Sequence, residues 1–88
     1  QNYPNPFNPS TKIPFDIPAD TRVTLTIYDT NGRKVLQPIK EETYNAGSYT
    51  ERVDLSGLAS GVYIYRIYVE ALSGGDDAMQ SNQMTFIK

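Results

Sequence analysis

Residues 58–71 read LASGVYIYRIYVEA. After Gly61 the run is built from β-branched and aromatic residues, which suit a pleated, half-buried surface, and it carries no helical period. Gly61 supplies a turn two residues before Tyr63. That spacing predicts a tyrosine corner, in which the ring packs inward and its hydroxyl bonds a nearby backbone group. Tyr65, two residues further on, then points inward as well. The stretch is the strongest strand of the chain, and it sets the period for the rest.

Outward from it, the period stays at two. In RVTLTIYD (22–29), Val23, Leu25 and Ile27 alternate with Thr24, Thr26 and Tyr28. KIPFDIP (12–18) sets Ile13, Phe15 and Ile17 on one face. Pro14 and Pro18 donate no ladder hydrogen bond, so this strand belongs at an edge or is irregular. Asp29 to Arg33 reads as a hairpin turn, with Asn31 and Gly32 both tolerant of positive φ. RKVLQPIKE (33–41) is a weaker strand that Pro38 should break. YNAGSYTERVDL (44–55) offers a turn at 45–47 and a strand from about Ser48 to Val53. SGGDD (73–77) is a loop tip, and MQSNQMTFIK (79–88) is a last strand. Short strands at this spacing predict an all-β fold: an immunoglobulin-like antiparallel β-sandwich of about seven strands with Greek-key connections. Tyr65 then takes the core position that antibody domains give to a disulfide cysteine. One conflict stands in the pattern. If Tyr49 and Val53 face inward, Glu51 does too, which demands a sheet edge or a bulge.

The 88 residues suffice for one domain with a modest core. The net charge of −2 gives no electrostatic pull toward nucleic acid or anionic membrane. No run is apolar for long enough to form a membrane-spanning helix, so direct membrane insertion is not expected. The start, QNYPNPFNP, has neither an initiator methionine nor a signal segment. It reads as an extended linker over 1–9, stiffened by proline, ahead of a sandwich over 10–88. Phe7 is expected to fold back as an anchor, and a larger protein is expected upstream.

Candidate chemistry is sparse. With no histidine, cysteine or tryptophan, histidine triads, thiolate metal sites and thiol catalysis are excluded, and no cofactor is expected. The pairs Glu41-Glu42 and Asp76-Asp77 point apart in extended chain and read as solvated charge. Asp29 and Asn31 lack the remaining ligands of a calcium loop. Of the seven tyrosines, Tyr28, Tyr44 and Tyr68 could form an exposed row that stacks on sugar rings, although tyrosine also simply suits strands. Arg66, a lone charge in an apolar strand, is expected to face outward and pair with an acid across the sheet. The chain reads as no enzyme.

Five stretches together resemble a known family. NYPNPFNPSTKIPFDIP (2–18), VTLTIYDTNGRKV (23–35), AGSY (46–49), LASGVYIYRI (58–67) and MTFIK (84–88) are similar, in order, to motifs of the type A C-terminal sorting domains of the type IX secretion system. The chain departs from that pattern at Glu51, and at Asn82 and Gln83. The resemblance implies a domain that directs an upstream cargo in the same polypeptide through the outer-membrane translocon of a Bacteroidetes-type bacterium. A surface signal peptidase then usually removes it. The route is through the periplasm to the cell surface or medium. The resemblance also implies translocon recognition by Gly61, Tyr63, Tyr65, Arg66, Met84, Thr85, Phe86, Ile87 and Lys88, and a linker motif of Asn2, Tyr3, Pro4, Asn5, Pro6 and Phe7. The competing reading is a structural or carbohydrate-binding immunoglobulin-like accessory module of an extracellular enzyme.

Overall fold

The computed structural model describes residues 10–72 and 77–87. Among them are six strands: β1 (Ser10–Ile17), β2 (Thr21–Asp29), β3 (Lys34–Tyr44), β4 (Gly47–Asp54), β5 (Gly61–Ala71) and β6 (Ala78–Phe86). The linker over 1–9, the loop over 73–76 and Lys88 lie outside the described residues. β1 and β4 form a two-stranded sheet, and the other sheet runs β3-β2-β5-β6. Every pairing is antiparallel. The chain leaves the larger sheet after β3, makes β4 beside β1, and returns as β5 beside β2.

Alternation translates directly into layers. Ile13, Phe15 and Ile17 of β1 face Val23, Leu25 and Ile27 of β2 and Tyr63, Tyr65 and Ile67 of β5 across one core. Ile39, Val53, Leu55, Met84 and Phe86 complete it. Ile13, Val23, Leu25, Ile27, Leu55, Met84 and Phe86 have no exposed surface at all. Fully burying such a side chain is worth roughly 1.5–3 kcal/mol, which makes this layer the main source of stability.

β1 lies at an edge, as its prolines require, and its register with β4 is unbroken. Pro14 sits exposed opposite Thr50. β3 differs from expectation. Pro38 does not break it, and the strand runs through to Tyr44. It can do so because β3 is the outermost strand of its sheet, where a missing N–H breaks no ladder. The irregularity appears instead as three register shifts against β2. The hairpin at 29–33 is also corrected in detail. The Gly32 N–H donates to the Asp29 carbonyl at 3.0 Å and the Asp29 N–H to the Arg33 carbonyl at 2.9 Å. Only Gly32 takes a positive φ there, +84°, while Asn31 does not. This is a type I turn followed by a left-handed glycine, the three-residue hairpin loop.

Glu51 resolves through position, with no bulge. The β1–β4 register is continuous and Glu51 shares the inner face with Tyr49 and Val53. It is half-buried where the two sheets open beside Leu36 and Pro38, and solvent reaches its carboxylate.

Candidate functional site

Two Gly-x-Tyr steps shape the turns that enter β4 and β5. The Tyr63 hydroxyl donates to the Ala59 carbonyl at 2.7 Å, which is the expected tyrosine corner. The Tyr49 hydroxyl does the same to the Asn45 carbonyl at 2.6 Å. In both cases the acceptor lies four residues upstream and a glycine lies two residues upstream. Gly47 has a φ of +155°, which side chains rarely adopt, and an added Cβ would stand 3.6 Å from the Tyr49 ring. The second corner is legible in AGSY, where Tyr49, like Tyr63 and Tyr65, reads as a core or corner residue, and Tyr49 is the half-buried one of the three.

Tyr49 also belongs to a three-ring cluster. Its ring stacks on Phe15 at 5.6 Å and meets Tyr44 edge-on at 4.8 Å, and Phe15 meets Tyr44 edge-on at 5.5 Å. Desolvation in this cluster, with the nearby charges of Glu42 and Glu51, pushes the Tyr44 phenol above its ordinary range.

The residues expected to act in recognition divide by depth. Tyr63, Tyr65, Met84 and Phe86 are buried, and Gly61 is partly so at the mouth of β5. Tyr65 accepts a 3.3 Å bond from the Asn82 amide of β6. Thr85 is half-buried and Ile87 is 54% exposed. Lys88 and Asn2 to Phe7 lie outside the described residues. The fold thus brings Gly61, Tyr63 and Tyr65 alongside Phe86, Met84 and Asn82 on paired strands, Gly61 opposite Phe86 and Tyr63 opposite Met84.

Among the described residues Arg66 pairs with no acid. Its guanidinium lies over the Tyr28 ring, 5.1 Å from the centroid, with Thr26 directly across the ladder. The acid-base pair of this face is Arg22 with Glu70, at 3.2 Å. Arg66 covers Tyr28, and Tyr44 packs against the core. Tyr68 is 37% exposed and Tyr28 partly so, while Tyr44 turns to the other side against Phe15 and Tyr49. The three tyrosines therefore form no continuous platform.

Asp77 is also more than solvated charge. It accepts the Tyr68 hydroxyl at 2.7 Å and the Ala71 N–H at 3.0 Å, closing the β5–β6 hairpin. The phenol bond, then the amide, hold its carboxyl below the usual carboxylate range, and the same bond pushes the Tyr68 phenol up. Asp29 has the matching place in the β2–β3 hairpin. It accepts the Arg33 and Asn31 N–H groups, each at 2.9 Å, and the Arg33 guanidinium at 3.1 Å. The Arg33 amide chiefly lowers its pKa. Its oxygens are thus engaged in closing a turn. Among the described residues no cluster of three or more acidic, histidine or cysteine side chains could hold a metal.

The remaining feature is an edge. β6 pairs with β5 through nine consecutive residues without a shift and has no strand on its other side among the described residues. From Ala78 to Ile87 it carries no charge and no proline. Ala78 to Gln83 are all exposed, whereas Met84 and Phe86 anchor its far end. Beside the exposed half, a cleft of about 450 Å³ opens between β1 and the inner faces of β5 and β6.

The family model described as "Secretion system C-terminal sorting domain" matches residues 1–74. The chain belongs to that family. It is a secretion sorting domain and not an enzyme, and it serves extracytoplasmic traffic toward the cell surface. β6 lies beyond the matched residues. No curated protein and no solved structure matches the chain.

Proposed function

We propose that the domain is the tag by which a type IX outer-membrane translocon recognises its cargo, and that a surface peptidase afterwards severs the tag upstream of the sandwich. The observation that carries this reading is the family match over 1–74. The sheet order supports an immunoglobulin-like assignment. β3-β2-β5-β6 against β1-β4 corresponds to such a sandwich without its outermost strands, and the corner at Tyr63 falls on the strand where that fold carries one.

In this reading the recognition residues act in two ways. Tyr63, Tyr65, Met84 and Phe86 hold β5 and β6 in shape, because their side chains face the core, and Gly61 serves at the turn that enters β5. Thr85 and Ile87, with the backbone of β6, meet the partner. Arg66 keeps the outer face of β5 smooth by lying on Tyr28. A stable fold with an exposed strand suits a tag, since an unpaired strand edge offers main-chain donors and acceptors. The alternative, a carbohydrate-binding module, is disfavoured by the way Arg66 covers Tyr28.

A secretion assay tests this. Residues 1–88 are fused behind a periplasm-targeted fluorescent cargo in a host with a working type IX system. Deleting 84–88 removes two core residues, so an Ile87→Ser variant accompanies it as a version that keeps the core. Surface or medium fluorescence for the intact fusion, with periplasmic retention of the deletion, is the expected result. Retention of the intact, folded fusion overturns the proposal.

A further inference from the structure

The cleft beside β6 has three properties that the sorting role alone does not explain. Its floor is apolar, formed by Phe15, Ile17, Ile67 and Val69. Its charged lining is acidic only: Asp20, whose carboxylate also accepts the Ala46 N–H at 3.2 Å, and Asp16, whose side chain lies on the outer face of β1 and accepts the Ser48 hydroxyl at 2.7 Å. Thr21, 4% exposed, also lines it, and its buried Oγ1 has no hydrogen-bond partner. The cleft exists because the second sheet has two strands against four. Ala78 and Gln80, on the face of β6 shared with Val69 and Ile67, are too small or too polar to close it.

We propose that an extended segment of a partner protein docks here by strand addition. It pairs with the free edge of β6, sets apolar side chains at alternate positions toward the cleft, and carries a basic residue that meets Asp20 at the rim. This rests on the reading of β6 as the recognised strand, and it names the chemistry of what reads it. Main-chain pairing supplies affinity in such complexes and alternate side-chain pockets supply specificity. A second copy of the chain fits less well. Its own β6 is uncharged, and the side chains facing inward at its free end are Ala78, Gln80 and Asn82. These would leave the apolar floor open and bring no cation to Asp20.

The probe is a nine-residue peptide alternating valine and threonine with lysine at both ends, added to isotope-labelled 1–88. Expected are shifts of the Ile17, Ile67 and Val69 methyls and slowed amide exchange over 79–83. A peptide ending in glutamates should bind at least about 5-fold more weakly. Of two peptides N-methylated on alternate residues, one should bind and the other should not, because only one edge of a strand faces β6. Ala78→Lys with Gln80→Lys changes only exposed side chains, sets charge against the apolar floor and repels the lysine-ended peptide, and should weaken binding at least about tenfold. Four outcomes overturn the proposal: no methyl shift at millimolar peptide, equal binding of both N-methylated forms, concentration-dependent dimers through β6, or residues 1–9 already seated against Ile67 and Val69. The same double variant in the secretion assay separates the two claims. Export of both the variant and the unaltered chain defeats the strand-addition proposal alone, whereas no export of the unaltered chain defeats the sorting reading.

Discussion

The larger sheet ends in two strands that solve the same problem in opposite ways. β3 and β6 each pair on one side only, among the described residues. β3 is blunted at every level. It carries Lys34, Lys40, Glu41 and Glu42, holds Pro38, shifts register three times and forces Glu41 to a φ of +49°. Charge, proline and bulges are the devices by which edges resist unwanted pairing. β6 has none of them between Ala78 and Ile87. An open, regular, neutral edge is a liability unless something uses it. The contrast within one sheet is what makes β6, and not β3, the edge that the proposed docking uses.

The comparison can be broken most forcefully at the ends of β6. Phe86→Ala removes a fully buried ring and should cost about 3–5 kcal/mol, whereas Gln83→Ala should stay within about 0.5 kcal/mol. Urea melts of both decide whether one strand is truly half core and half surface. Equal effects would mean that β6 is not anchored as described.

The corners come next. Tyr63→Phe leaves the Ala59 carbonyl without its donor in a part-buried place and should cost about 1–2 kcal/mol. Tyr49→Phe, at an exposed bond, should cost less than about 1 kcal/mol. Thermal unfolding of the two variants ranks them, and the reverse order would place the stabilising corner on the two-stranded sheet.

Edge charge sharpens the contrast directly. Ser81→Lys with Gln83→Lys should slow any concentration-dependent light scattering and leave the melting temperature nearly unchanged. Lys34→Gln with Lys40→Gln on β3 should change scattering little, since Pro38 and the register shifts remain.

The smallest effect concerns pH. Folding lowers the pKa of both Asp29 and Asp77. Each therefore stabilises its hairpin above the ordinary carboxylate range near ~3.9 and loses that contribution as pH falls through its lower folded value. Tyr68 is raised, so its share is present below ~10 and fades as pH rises through the folded value. Protection of the Arg33 and Ala71 amides, taken relative to the intrinsic exchange rate at each pH, should fall on acidification, and the change at Ala71 should vanish in Asp77→Asn. Persistence of the acid response in that variant would remove Asp77 as the clamp.

Much of this was legible in the chain. Strand identity, the inward face of β1, β2 and β5, the glycine-tyrosine corner and the edge position of the Pro14 strand all follow from period, proline and glycine. These are local rules, and they survive tertiary context because burial here reinforces the alternation. What failed had a common cause. Arg66 found a ring where an acid was expected, Asp77 stands exposed but also closes a hairpin, and Pro38 was absorbed instead of breaking β3. Each depends on which residue lies across a ladder or which strand lies outermost, and neither is written in a single segment.

Composition alone excluded histidine, thiolate and disulfide chemistry, and alternation alone made the chain all-β with a core drawn from every second residue. Those outcomes were determined before any strand met another, because side-chain period and residue type are properties of the segment. Only the tertiary structure decided that β1 and β4 stand as two against four, that β3 and β6 are the outer strands, and that a cleft opens beside the neutral one. Pairing order is a contest between distant segments for the same neighbours, and its outcome depends on the whole chain at once.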